Sequence, residues 1–97
     1  MASLEVLNPV AEIKRARISA ARRLESLEGK TVGLFWNMKA GGDIALATVA
    51  EELKKRHPGV TFRNYIGSVG NLVRQATAED VERIAAECDA VVGTSSD

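Results

Sequence analysis

A short and nearly continuous apolar run, Thr31–Trp36, sets the fold class of this chain. Runs of this kind form strands that are buried on both faces, as in the parallel sheets of α/β proteins. Two more β-rich segments follow at residues 60–66 and 89–94, and a helical pattern precedes each of them. Strands that alternate with helices predict a parallel sheet with right-handed crossovers and helices on both faces. We therefore expect a three-layer α/β half domain, Rossmann-like or flavodoxin-like, with about three strands.

Turn and capping signals mark the two helical patterns. Asp43 is expected to cap a helix over residues 44–56, which a Pro-Gly pair then ends. Residues Thr77–Asp80 resemble a capping box, with Asp where Glu or Gln is usual, and they open a second helix that carries Cys88 on its apolar face. Residues 67–75 contain two glycines and several small polar side chains, so we expect a flexible loop there.

An apolar stripe of helical period precedes the first strand. It predicts a helix over residues 10–28, with Gly29 as the C-terminal stop. Residues 1–9 are expected to form an arm. The whole chain, residues 1–97, is expected to be one domain whose βαβαβ unit covers residues 31–97. The other faces of the predicted helix are basic and carry Lys14, Arg15, Arg17, Arg22 and Arg23.

Composition excludes several classes of protein. The 13 basic and 13 acidic side chains cancel, so the chain as a whole is not drawn to nucleic acid or to anionic lipid. A single cysteine, Cys88, and a single histidine, His57, do not make a disulfide framework or a self-contained zinc site. No apolar run has the roughly 18–20 residues of a membrane span, and the N-terminus lacks a signal-peptide pattern. We therefore expect a cytoplasmic protein that encodes no cofactor site of its own.

Candidate ligand-binding residues follow the first and third predicted strands. Open α/β sheets bind ligands at the carboxyl ends of their strands, so both segments are expected at one edge of the sheet. The first segment leads into a helix N-terminus, which favours an anion; Lys39 would add a positive charge and Asn37 a hydrogen bond. The competing interpretation is an ordinary strand-to-helix turn closed by an Asp cap. The candidate substrate-binding residues are Trp36, Asn37, Lys39, Gly41, Gly42 and Asp43 in the first segment, and Thr94, Ser95 and Ser96 in the second.

Neither the serines nor the cysteine has the setting of a nucleophile. The only histidine, His57, follows a helix far from the terminal serines, so nothing in the chain would activate them. Cys88 is expected to be a buried and inert thiol, because reactive cysteines lie in partly exposed, electropositive settings. We therefore assign no catalytic residue and no metal ligand to this chain.

Several segments, taken together, resemble the UGSC family. That family is named for a (U/C)-G-S-C motif of selenocysteine or cysteine, and its members are described as oxidoreductases. The resemblance implies an α/β fold similar to that of Asp/Glu racemase-like and glycine-reductase-type domains. The segments that carry it are Leu7–Pro9, Leu27–Leu34, Phe35–Lys39, Gly42–Asp43 and Cys88–Val92.

The chain departs from the family where the thiol motif belongs. The resemblance places that motif directly after Thr94–Asp97, and this sequence does not contain it. No catalytic cysteine is therefore carried over, and Cys88 is not that residue. We expect a small subunit of a heteromeric α/β enzyme, in which a larger subunit completes the sheet and carries the catalytic residues. The expected reaction is thiol-dependent redox or lyase/hydro-lyase chemistry on a small polar molecule.

Two other readings stay open. The chain could be a non-catalytic binding or regulatory module that acts through the basic N-terminal helix. It could also be a homodimer that completes its sheet by symmetry. The basic segment has no aromatic residues interleaved with it, so nucleic acid is not the expected partner.

Overall fold

The computed structural model describes residues 18–95, in which strands and helices alternate. Within this range the chain is a small α/β fold with three parallel strands and two helices, as the sequence predicts. No helix in this range has the length and apolar character needed to cross a lipid bilayer. The elements are β1 (Thr31–Trp36), α1 (Gly42–Arg56), β2 (Thr61–Ile66), α2 (Ala78–Glu87) and β3 (Ala90–Thr94).

The sheet has the strand order β2-β1-β3, with β1 in the centre. Val32 of β1 lies opposite Phe62 of β2 on one side and Ala90 of β3 on the other. The chain moves to one side of β1 to form β2 and then crosses β1 to form β3. This reversal makes the carboxyl ends of β1 and β3 a topological switch point, where sheets of this type bind ligands.

One face of the sheet, the α1 face, holds the main core. Val32 and Leu34 of β1 are buried there with Leu46 of α1 and Val60, which precedes β2. Burying a Val or Leu side chain of this kind contributes roughly 1.5–3 kcal/mol, so these four side chains anchor α1 to the sheet. Partly buried side chains around them are Leu27, Trp36, Ala50, Phe62, Ala90 and Val92.

The opposite face, the α2 face, is built around Tyr65 and Ile84, which are both buried. Tyr65 lies close to Gly33, where an added Cβ would be 3.1 Å from the ring and 3.0 Å from Cys88 Sγ. The Tyr65 hydroxyl donates to Glu87 Oε1 at 2.7 Å and lies 3.2 Å from Cys88 Sγ. Glycine in β1 therefore makes room for the side chains that join β2 to the end of α2.

Part of the α2 face is open. Val81 of α2 is 56% exposed and Val91 of β3 is 50% exposed. These two residues, with Phe35, Ile84 and Ala85, line an apolar hollow of about 380 Å³, which we call the β3 groove. Of the strands in residues 18–95, only β1 pairs with β3. A bare apolar face and an open strand edge therefore lie side by side.

The predicted N-terminal helix is wrong where the structure can be compared with it. Residues 18–27 contain no helix, whereas residues 1–17 lie outside the described range. Of the stripe residues within the described range, Leu24 is 39% exposed and only Leu27 packs against the core. A short helix is marginal in water unless its apolar face is buried, and the adjacent charges of Arg22 and Arg23 add no stabilising pair.

The start of α1 also differs from the prediction. The N-cap is Gly41, in the left-handed region at φ 89°, and it has no side chain to accept a hydrogen bond. Asp43 lies inside the first turn, where its charge still favours the helix dipole. The capping box of α2 is confirmed, with Thr77 and Asp80 each accepting the other's backbone N–H.

Candidate functional site

Three of the predicted site residues meet at the switch point. Gly42 is buried at the start of α1, between the ends of β1 and β3. A Cβ at Gly42 would lie 2.7 Å from Thr94 Oγ1 and 2.9 Å from Trp36 Cδ1, which is closer than side chains approach. Glycine is thus the residue that lets the helix N-terminus reach the strand ends.

The loop between β1 and α1 is held by its own hydrogen bonds. Trp36 Nε1 donates to the Lys39 carbonyl at 2.8 Å, and the Gly42 N–H donates to the same oxygen at 3.1 Å. Asn37 Oδ1 accepts the Lys39 N–H at 3.2 Å. The indole of Trp36 therefore has a fixed orientation, and the Asn37 side chain forms the turn.

The Thr94 hydroxyl is buried at this junction with no hydrogen-bond partner on any residue from 18 to 95. Leaving such a group unpaired costs roughly 1–3 kcal/mol, so orphaned hydroxyls are rare in folded proteins. The neighbouring N-terminus of α1 also lacks a side-chain cap. The junction therefore carries unused hydrogen-bonding capacity at the edge where ligands bind.

Asp80 is the residue that organises the second loop of this edge. It is 4% exposed, and it accepts the Ser68 hydroxyl at 2.6 Å, the Ser68 N–H at 3.0 Å and the Thr77 N–H at 3.0 Å. These bonds, above all that from the Ser68 hydroxyl, hold the pKa of Asp80 far below its usual range. Asp80 therefore stays ionised and is a poor general base, and the Ser68 hydroxyl is committed to it.

The segment 67–75, expected to be a flexible loop, has hydrogen bonds within it and to the β1 loop. Val69 and Gln75 bond each other through their backbones at 3.2 and 2.8 Å. Arg74 donates from its backbone to the Asn37 carbonyl at 2.9 Å and from Nε to the Gly67 carbonyl at 2.8 Å. The loops after β1 and β2 are thus joined. Asp80 was expected only as part of a cap and Arg74 was not expected to have a role, although the unusual Asp of the capping box was a signal.

A second feature, which we call the α1 cleft, lies beside Trp36 on the α1 face. It has a volume of about 240 Å³ and lies between α1 and the strands β1 and β2. Leu34, Leu46 and Ile66 give it apolar walls, and Asp43 is at its rim. Trp36 and Asp43, both predicted as site residues, therefore line this cleft. The cleft lies toward β2, whereas the switch point lies between β1 and β3.

The remaining predicted residues are more dispersed. Gly41 and Ser95 are exposed, Lys39 is half-buried, and Ser96 lies outside the described residues. No cluster of His, Cys, Asp and Glu suited to a metal ion occurs in the portion that the structure describes.

Cys88 lies at the other end of the sheet, just after α2. It is half-buried rather than buried as expected. Its hydrogen bond with Tyr65, together with burial of the ring and the bond to Glu87, raises the pKa of Tyr65. Cys88 therefore belongs to the packing of the α2 face and not to the switch point.

A family model for the UGSC family matches residues 5–97. Because the match covers nearly the whole chain, the protein belongs to the UGSC family. No curated protein and no solved structure gives a significant match to the chain.

Proposed function

We propose that this UGSC-family chain supplies one wall of an active-site pocket at the carboxyl edge of a larger α/β sheet. It acts as the small subunit of a heteromeric enzyme, and the larger subunit brings the reacting thiols. The substrate is a small polar molecule. The family resemblance favours thiol-dependent redox chemistry, with lyase or hydro-lyase chemistry as the competing class.

The convergence of Trp36, Gly42 and Thr94 carries this proposal. These residues come from two strands and one helix, yet they meet at the switch point of the sheet. The unpaired Thr94 hydroxyl and the uncapped N-terminus of α1 are groups that a polar substrate, or a polar group of the larger subunit, would satisfy.

The open α2 face favours a partner. The β3 groove is apolar. In it, Val81 is 56% exposed and Val91 is 50% exposed. Contiguous exposed apolar surface of this kind marks protein interfaces, and open strand edges invite pairing. A strand and helix from the larger subunit would cover the edge of β3 and the groove together.

Substitution in the β3 groove tests the proposal. Val91→Asp places a charge in the groove, and Leu72→Asp is the matched control, because Leu72 is 87% exposed in the loop after β2. With tagged chains purified from co-expressing cells, Val91→Asp is expected to lose the larger subunit, whereas Leu72→Asp keeps it. Retention of the same companion by both variants would count against this interface.

The rival function is binding of an acidic partner through the basic N-terminal segment. Arg22 and Arg23 are exposed in the described part of that segment, and this is the observation in its favour. It predicts salt-sensitive binding by an isolated chain that is lost when Arg15, Arg17, Arg22 and Arg23 become Gln. The β3 groove would then be irrelevant to binding.

A further inference from the structure

The α1 cleft has the make-up of a small-molecule site. Its volume of about 240 Å³ is less than the roughly 300–1,000 Å³ of pockets for drug-sized ligands, so its occupant is small. The floor is apolar and firm, because Leu34 and Leu46 belong to the main core. The cleft lies between α1, β1 and β2, on the side of the sheet away from the β3 edge.

Two polar side chains face this apolar floor. Asp43 comes from the first turn of α1, and Asn64 comes from the middle of β2, between Phe62 and Ile66 on the same face. No ion pair among residues 18–95 involves Asp43, and no side-chain hydrogen bond in that range involves the Asn64 amide. The carboxylate calls for a ligand with hydrogen-bond donors, and the amide oxygen can accept from the same ligand.

Trp36 forms the wall beside them. Its indole N–H is held by the Lys39 carbonyl, so the ring is fixed in place as one side of the cleft. An aromatic face attracts cations, and a carboxylate nearby adds charge-assisted hydrogen bonds, which are about twice as strong as neutral ones. The two features together favour a cation over a neutral donor, and they disfavour an anion.

We propose that the α1 cleft binds a small protonated amine with an apolar body. The ammonium group donates to the Asp43 carboxylate and the Asn64 carbonyl oxygen beside the indole of Trp36. The apolar body packs on Leu34, Leu46 and Ile66. Every lining residue that the structure describes comes from this chain, so the proposal is tested on the chain itself.

The single tryptophan makes the cleft directly measurable. Trp36 is the only tryptophan in the sequence, so its fluorescence reports occupancy of the cleft. We would titrate the protein with n-butylamine, and with n-butanol and butyrate as probes of the same size. The expected result is a saturable change with butylamine, at least tenfold weaker binding of butanol, and no binding of butyrate. Equal binding of butylamine and butanol, or of butyrate, would overturn the proposal.

Two variants test the role of the carboxylate. Asp43→Asn is expected to weaken butylamine binding about tenfold, because the amide still accepts a hydrogen bond but lacks the charge that strengthens the bond to the ammonium. Glu51→Gln is the control, because it removes the same charge from an exposed position on the same helix. An unchanged affinity in Asp43→Asn, with folding verified by circular dichroism, would refute the site. So would an equal loss in Glu51→Gln. Asn64→Ala removes the second proposed acceptor, which comes from β2, and is also expected to weaken butylamine binding.

Discussion

At the residue scale, the switch point depends on the absence of a side chain at Gly42. Thr94 Oγ1 and Trp36 Cδ1 occupy the space that a Cβ would need, and both belong to residues held by strand pairing. The Thr94 hydroxyl beside Gly42 is buried with no partner among residues 18–95, and a buried hydroxyl left unpaired costs roughly 1–3 kcal/mol.

We predict that Gly42→Ala destabilises the protein by about 1–3 kcal/mol, the usual cost of overpacking. Gly93→Ala is the matched control, because a Cβ there meets only the Phe35 carbonyl oxygen at 3.8 Å. That substitution should be neutral or stabilising by up to about 1 kcal/mol. Urea unfolding measures both. Equal stability of the two variants would show that the junction is looser than the structure indicates.

At the scale of elements, the loops of the carboxyl edge are held by Asp80 from α2 and by Arg74 near the end of the β2 loop. Asp80 at the start of α2 binds the Ser68 end of the β2 loop. Arg74 then joins that loop to Asn37 in the β1 loop. The geometry of the edge therefore depends on α2, although α2 packs on the opposite face from α1.

We predict that Asp80→Asn lowers the melting temperature more than Thr77→Ala, whose lost cap costs about 1 kcal/mol. The pKa of Asp80 is lowered in the folded state, so its stabilisation is complete above the unfolded value of about 3.9 and is lost as pH falls toward the folded value. The difference between wild type and Asp80→Asn should therefore shrink in acid. A difference that is constant from pH 7 to pH 3 would contradict this role of the charge.

The elements were more predictable than the contacts between them. The apolar run of β1, the alternation of strands with helices and the Thr77 cap are local patterns, and the structure confirms them. The hydrogen bonds of the loop after β2 depend on Asp80 and on Arg74, whose backbone bond to Asn37 reaches a different loop, so no local pattern predicted them. The apolar stripe over residues 10–28 predicted a helix, but a stripe alone does not show whether another surface of the protein will cover it.

For the candidate site, the sequence located the edge but not the geometry. Trp36, Gly42 and Thr94 were predicted as site residues and the structure brings them together. The sequence around Asn64 has no motif that would predict its place in the lining of the α1 cleft. The sequence also did not predict that the Asn37 side chain accepts a hydrogen bond within the turn. Asn is a common residue both in turns and in ligand sites, so its presence does not distinguish the two roles.

At the scale of the whole molecule, the sheet has a covered half and a bare half. The α1 face holds the main core and the small α1 cleft, whereas the α2 face leaves the larger β3 groove open. A chain with this distribution of apolar surface is expected to associate, and an obligate interface of this kind typically buries more than about 2,000 Å². The bare half of the sheet is the observation behind our proposal of a larger subunit that covers it.

Native mass spectrometry of the tagged chain, purified from cells that also express its candidate partners, tests this claim most directly. We predict a complex well above the 10.4 kDa of the chain, containing a larger companion in fixed ratio whose sequence carries the (U/C)-G-S-C motif. A dimer of this chain alone would show that the β3 groove is covered by symmetry and that no larger subunit is needed. A stable monomer of 10.4 kDa would contradict the account altogether.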